Sequence, residues 1–216
     1  MKQRILGKDL AVSAVGLGCM GFSHAYGVAT DEGEAIRAIR AAFDMGYTLF
    51  DTAESYLGAN TDGSISYNEE LVGKALADVR GQVQIATKCG VHHQGRELIT
   101  DSRPETIRKS VEDSLRRLHT DHIYLYYQHR IDTSVPAEEV AGTMAGLMQE
   151  GKILHWGISE ANEAYLRRAH AVCPVTAIQN RYSMMYRDYE ALFPVLEELG
   201  IGFVAFSPMA NGFRCV

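Results

Sequence analysis

Three glycines constrain this chain more than any other feature. Gly46, Gly151 and Gly200 each close an amphipathic helical pattern, and an apolar strand-type run begins within a residue or two. The first pattern follows Thr30 as its expected N-cap and carries Ala35, Ile36, Ile39, Ala42 and Phe43 on one face; the second opens at Pro136 with Val140, Met144, Leu147 and Met148; the last spans about Tyr189 to Leu199. A glycine readily takes the left-handed conformation that ends a helix, so this recurrent join is the αβ turn of repeating βα units. The runs entered, among them Tyr47-Thr48-Leu49-Phe50, Ile153 to Ile158 and Ile201 to Phe206, are apolar on both parities, as in a parallel sheet covered on both faces. Two further helices are expected: one from the capping box Ser102/Glu105 with Pro104, burying Ile107, Val111, Leu115 and Leu118, and one from about Asn162 to Ala171. Arg4-Ile5-Leu6 and Ala11 to Val15 flank the turn Gly7-Lys8-Asp9-Leu10 as an N-terminal β-hairpin that could plug a barrel floor. The expected fold is α/β, a TIM (β/α)8-type barrel of about seven strands, incomplete at the C-terminus and forming one domain over residues 1–216.

The strand-type runs end on chemistry. Tyr47 to Phe50 delivers Asp51 and, five residues later, Tyr56; Gln84-Ile85-Ala86-Thr87 ends at Lys88; Ile123 to Gln128 ends at His129. In a parallel barrel these ends share one rim, where active sites collect. A phenol is a poor acid at neutral pH unless its anion is stabilised. Lys88 is the candidate ammonium for that task, with Asp51 to hold it charged and His129 to orient a substrate carbonyl. Together the four describe a site that protonates an oxygen while another group supplies hydride to its carbon. Singly, each has a structural reading as a cap, a solvated strand end or a satisfied polar residue; four such residues at strand ends favour the functional one.

Gly16-Leu17-Gly18-Cys19-Met20-Gly21 matches GxGxxG literally, yet the dinucleotide reading requires a helix to open inside the motif. Phe22 to Thr30 reads as loop, so a Gly-rich first barrel strand close to a ligand is the better account. The stretch from Leu57 to Tyr67 is turn-rich and reads as a long loop beside Tyr56. Cys19, Cys89, Cys173 and Cys215 form no CxxC or metal-like spacing. His92-His93, and His119 with His122, lack carboxylates at ligand spacing, which weakens a metal-dependent hydrolase or isomerase reading.

The net charge of −6 disfavours nucleic acid or an anionic membrane as partner. No apolar run approaches the length of a membrane span, and the N-terminus has no apolar stretch of signal-peptide length, so a cytoplasmic location is expected.

Five separated motifs carry a resemblance. Phe50-Asp51-Thr52-Ala53-Glu54-Ser55-Tyr56, Ala86-Thr87-Lys88, Tyr127-Gln128-His129-Arg130, Trp156 to Ala161 and Ala205-Phe206-Ser207-Pro208-Met209 resemble, in order, the aldo-keto reductase superfamily. The likeness is to the bacterial, yeast and plant branch with Ser-Glu-Ala after strand five. It implies an NADPH-dependent oxidoreductase that reduces aldehydes or ketones to alcohols without metal or flavin. Tyr56 would be the proton donor, Lys88 and Asp51 its supporting pair, and His129 the carbonyl-orienting residue. Met20 and Gly21 would approach the nicotinamide, Ser159 and Gln179 would hold its carboxamide, and Phe206 would stack on its ring. Ser207, Pro208 and Met209 would begin the pyrophosphate-binding loop. The partner implied is a small-molecule carbonyl compound, apolar or aromatic if Phe22, His24, Tyr26 and Tyr56 line its pocket.

Two side chains depart from the pattern: Glu160 stands where other branches place Asn, and Arg181 where an acidic residue is usual. The ending Arg214-Cys215-Val216 stands where the resemblance implies an eighth βα unit and a grip on the adenosine 2′-phosphate. Weak NADPH binding is therefore expected of this chain alone. The alternative is a catalytically impaired fragment or a non-catalytic partner subunit with a reductase-like barrel.

Overall fold

The computed structural model describes residues 1–95 and 97–210; Cys215 and the ending Arg214-Cys215-Val216 lie outside the described residues. The chain opens with β1 (Gln3–Leu6) and β2 (Leu10–Ser13), an antiparallel hairpin in which Leu6 pairs with Leu10. Then come β3 (Leu17–Gly18), α1 (Glu32–Asp44), β4 (Leu49–Asp51), β5 (Leu57–Ala59), β6 (Ile65–Tyr67), α2 (Asn68–Ala75), β7 (Gln84–Cys89), β8 (Val91–Gln94), β9 (Glu97–Thr100) and α3 (Pro104–Leu118). The rest is β10 (Ile123–Gln128), α4 (Ala137–Gln149), β11 (Ile153–Ser159), α5 (Glu163–Val172), β12 (Ala177–Arg181), α6 (Phe193–Leu199) and β13 (Gly202–Phe206).

Seven strands form one parallel sheet in the order β13-β12-β11-β10-β7-β4-β3, a nearly closed barrel wrapped by the helices. Inside it, Leu6, Leu10 and Val12 of the hairpin pack with Leu49, Ala86, Leu125, Tyr127 and Ala177. The larger core lies between sheet and helices, with Ile39, Ile107, Val111, Val140, Met144, Trp156 and Leu166 fully buried. Parallel register sets the rim: Asp51 pairs with Ala86, Tyr127 with Lys88, and Ser159 with Gln179. Among the described residues β3 and β13 are the two sheet ends, and a cavity of about 520 Å³ opens between them.

Several local expectations are corrected. Asp31, not Thr30, caps α1, its carboxylate accepting from the Glu34 amide. Ser102 and Glu105 form no capping box: α3 begins after Arg103 with no side-chain cap, because the Ser102 hydroxyl accepts from Gln128 Nε2 and its amide donates to Asp132. The expected loop from Leu57 to Tyr67 folds into the β5–β6 hairpin, and α2 and the β8–β9 hairpin are elements for which the sequence raised no expectation. The last helix is split: Asp188–Leu192 is a 3-10 turn, and α6 starts only at Phe193, with Pro194 in its first turn. The Gly-rich motif runs from β3 into a 3-10 turn at Met20–Phe22, so no dinucleotide-type helix starts there.

Candidate active site

The site is built from the C-terminal ends of adjacent strands. β4 ends on Asp51, β7 carries Lys88, and His129 follows β10 directly. Lys88 is fully enclosed, its Nζ 2.5 Å from Asp51 Oδ1, 2.7 Å from the Thr52 carbonyl and 3.2 Å from Tyr56 Oη. Burial alone would lower the pKa of this ammonium; the charges of Asp51 and Tyr56 and their hydrogen bonds outweigh it, so it stands raised. The other Asp51 oxygen accepts from Gln179 Nε2 at 2.7 Å, which makes a continuous chain from Gln179 through Asp51 and Lys88 to the phenol. Nζ also lies 4.9 Å from the centre of the Tyr56 ring.

His129 meets that ring edge-on, centroids 5.7 Å apart. Burial, with the nearby charges of Lys88 and Arg130, pushes its pKa well below the ordinary imidazole value, so it is neutral near pH 7. Its Nδ1 is 3.3 Å from the Ser55 hydroxyl. A neutral imidazole that accepts at Nδ1 donates at Nε2.

The residues expected to meet a cofactor fall into two groups. Gln179, Phe206, Ser207 and Pro208 line the cavity between β3 and β13 together with Asp51. Ser159 sits beside Gln179 by register, its hydroxyl accepting from Arg130 at 3.1 Å. Met20 and Gly21 stand on the same rim, next to Cys19, whose amide donates to the Asp51 carbonyl, but neither lines the cavity; Met209 points to solvent and does not line it either. Adjacent strand ends thus present a hydroxyl, an amide and an aromatic ring, a set that fits a flat ring bearing a carboxamide. Glu160 is turned away to accept from Tyr189 Oη and the Arg181 amide.

Glu54 was not anticipated. Its carboxyl accepts from the Gly90 amide at 2.8 Å beside the Lys88 strand end, and burial raises its pKa to about 7, opposed by a hydrogen bond to Ser110 and reinforced by the charge of Glu69. Nothing in the sequence marks it apart from its place between Asp51 and Tyr56. Cys19 and Cys89 are buried thiols whose pKa burial raises, which leaves them poor nucleophiles.

Residues 14–215 match the aldo/keto reductase family. A Glycine max protein named "Probable aldo-keto reductase 1" is 46% identical over 205 residues, covering 94% of this chain and 57% of its own length. The chain thus spans a little over half of that relative. Among solved structures, the holo form of aldo-keto reductase AKR11C1 from Bacillus halodurans superposes with a TM-score of 0.86 at 34% identity, over 98% of this chain and 68% of that one. Glycerol dehydrogenase AKR11B4 from Gluconobacter oxydans gives 0.85 at 33% identity, over 97% and 64%.

Proposed function

Since the chain belongs to the aldo/keto reductase family, we propose that it serves as an NADPH-dependent reductase of aldehydes or ketones with Tyr56 as proton donor. The observation that carries this reading is the placement of Lys88 Nζ, bonded at once to Asp51 and to Tyr56 Oη. When bound, the nicotinamide cofactor supplies the hydride that reduces the carbonyl carbon.

The chain's own residues do the rest. Tyr56 Oη gives its proton to the carbonyl oxygen as negative charge develops there. The Lys88 ammonium stabilises the phenolate left behind, and the Asp51 carboxylate with the Thr52 carbonyl fixes that ammonium in place. His129, neutral and backed by Ser55, donates from Nε2 to the substrate oxygen and orients it. Ser159 and Gln179 would hold the carboxamide of a bound nicotinamide, Phe206 would stack on its ring, and Met20 and Gly21 would approach it from the same rim. Ser207, Pro208 and Met209 would begin the loop that holds the pyrophosphate. The substrate is a small carbonyl compound, and no helix among the described residues is long and apolar enough to cross a membrane. A cytoplasmic location is part of the same proposal.

The competing reading, a catalytically impaired or non-catalytic subunit, is favoured by one observation: Phe206 stands on β13, a sheet end with no partner strand on its outer side among the described residues. Transfer of deuterium from 4-deuterated NADPH to 4-nitrobenzaldehyde separates the two. Label in the product alcohol supports the reductase, and an unreduced aldehyde with folded protein supports the subunit.

A further inference from the structure

Two histidines next to Tyr56 have no part in the chemistry above. His24 follows the turn after β3, and His93 lies on β8. Nδ1 of His24 is 2.8 Å from the Leu57 carbonyl oxygen, and Nε2 of His93 is 3.0 Å from the Ser55 carbonyl oxygen. A carbonyl only accepts, so the facing nitrogen carries the hydrogen in each ring, and the two imidazoles adopt opposite tautomers. The carbonyls they hold belong to the residues immediately before and after Tyr56. The His24 ring also lies nearly parallel to the Tyr56 ring, with centroids 5.8 Å apart at 18°, and meets His93 edge-on at 5.7 Å.

Tyr56 needs such support. It stands between β4 and β5, outside any ladder of the main sheet. A misplacement of about 1 Å at a reacting group can cost roughly a hundred-fold in rate. The loop bearing His24 is in turn pressed on β5, directly after Tyr56: a Cβ on Gly58 would fall 1.6 Å from the Ser23 carbonyl oxygen.

We infer that His24 and His93 are positioning residues for Tyr56, two imidazoles of opposite tautomer that clamp the main chain on both sides of the phenol. The inference rests on the reading of Tyr56 as proton donor. It ties that residue to two separate segments, the loop bearing His24 and strand β8, so the geometry of Oη against Lys88 depends on both.

The opposite tautomers make the test specific to each side. An Asn amide nitrogen falls near the place of imidazole Nδ1, and a Gln amide nitrogen near that of Nε2. His24→Ala and His93→Ala should each lower kcat for 4-nitrobenzaldehyde about ten-fold or more, with KM for NADPH changed less than about two-fold. His24→Asn and His93→Gln should recover most of that loss, whereas the exchanged His24→Gln and His93→Asn should not. Circular dichroism of each variant shows that it is folded, and where an alanine variant is not, the Asn-against-Gln comparison decides alone. Nitrogen–proton correlation spectra of the whole chain, without cofactor, should show His24 protonated at Nδ1 and His93 at Nε2. Equal recovery by Asn and Gln at both positions, or His24 protonated at Nε2 alone, would overturn the inference. If the parent chain reduces no aldehyde, the reductase reading fails, while the ring tautomers still decide the clamp.

Discussion

Lys88 Nζ is held by Asp51 Oδ1 at 2.5 Å from one side and reaches Tyr56 Oη at 3.2 Å on the other, with its own side chain only 1% exposed. A fully enclosed ammonium is tolerable because every direction it can donate in has an acceptor: a carboxylate, a carbonyl and a phenol. The same saturation makes the site sensitive to the loss of any one partner.

Asp51→Asn removes the countercharge. Burial then dominates, and the Lys88 pKa falls below its unfolded value. A group whose folded pKa is depressed in this way costs stability as pH falls, because folding must take place around a charged, uncompensated lysine. The variant should therefore lose roughly 3 kcal/mol near pH 6, with the deficit shrinking toward about pH 10. Urea unfolding at several pH values checks both the size and the direction.

Glu54→Gln should act the opposite way. The folded pKa of Glu54 is raised from 4.5 to about 7, so its contribution is intact at low pH and is lost as pH rises through that interval. The substituted side chain keeps an acceptor for the Gly90 amide and cannot ionise. The variant should be more stable than the parent by roughly 3 kcal/mol at most above about pH 7.5, with a flatter profile between pH 4.5 and 7. Melting temperatures across that range measure it.

Phe206→Ala should weaken NADPH binding about ten-fold, the value of one lost aromatic stack, while unfolding stability changes little because the ring lies in an open cavity. NADH should weaken in proportion, since the proposed stacking partner, the nicotinamide ring, is common to the two cofactors. Fluorescence titration with both cofactors decides it.

Gly58→Ala should destabilise the protein by about 2 kcal/mol or more, because its Cβ would sit 1.6 Å from a backbone oxygen that cannot yield without moving the Ser23–His24 segment. Thermal unfolding gives the cost, and the Asn68–Ser23 hydrogen bond at 2.7 Å should weaken with it.

Much of the barrel is legible from the chain. β10 spans Ile123–Gln128, the very apolar run seen in the sequence, and Gly151 and Gly200 end their helical segments with positive φ. Asp51, Tyr56, Lys88 and His129 come together because each is carried to the rim by, or just after, a buried strand. What stays hidden is local competition. Ser102 looks like a cap, but Gln128 and Asp132 claim it first. α2 is short and holds Gly73, which reads as a breaker; it is there because a Cβ would come within 2.8 Å of the Leu118 carbonyl as α2 packs on the end of α3. His93 reaches the site only through the β8–β9 hairpin, whose turn gives no apolar period to read.

The most direct measurement is single-turnover reduction of 4-nitrobenzaldehyde by the NADPH-loaded chain and by Tyr56→Phe, with cofactor affinity measured in the same samples. The parent should reduce the aldehyde, and Tyr56→Phe should lose about a thousand-fold or more in rate while binding NADPH within roughly two-fold of the parent. A Tyr56→Phe variant that turns over at the parental rate would contradict the assignment of the proton donor. A folded parent that binds no NADPH at millimolar cofactor would contradict the reductase reading itself.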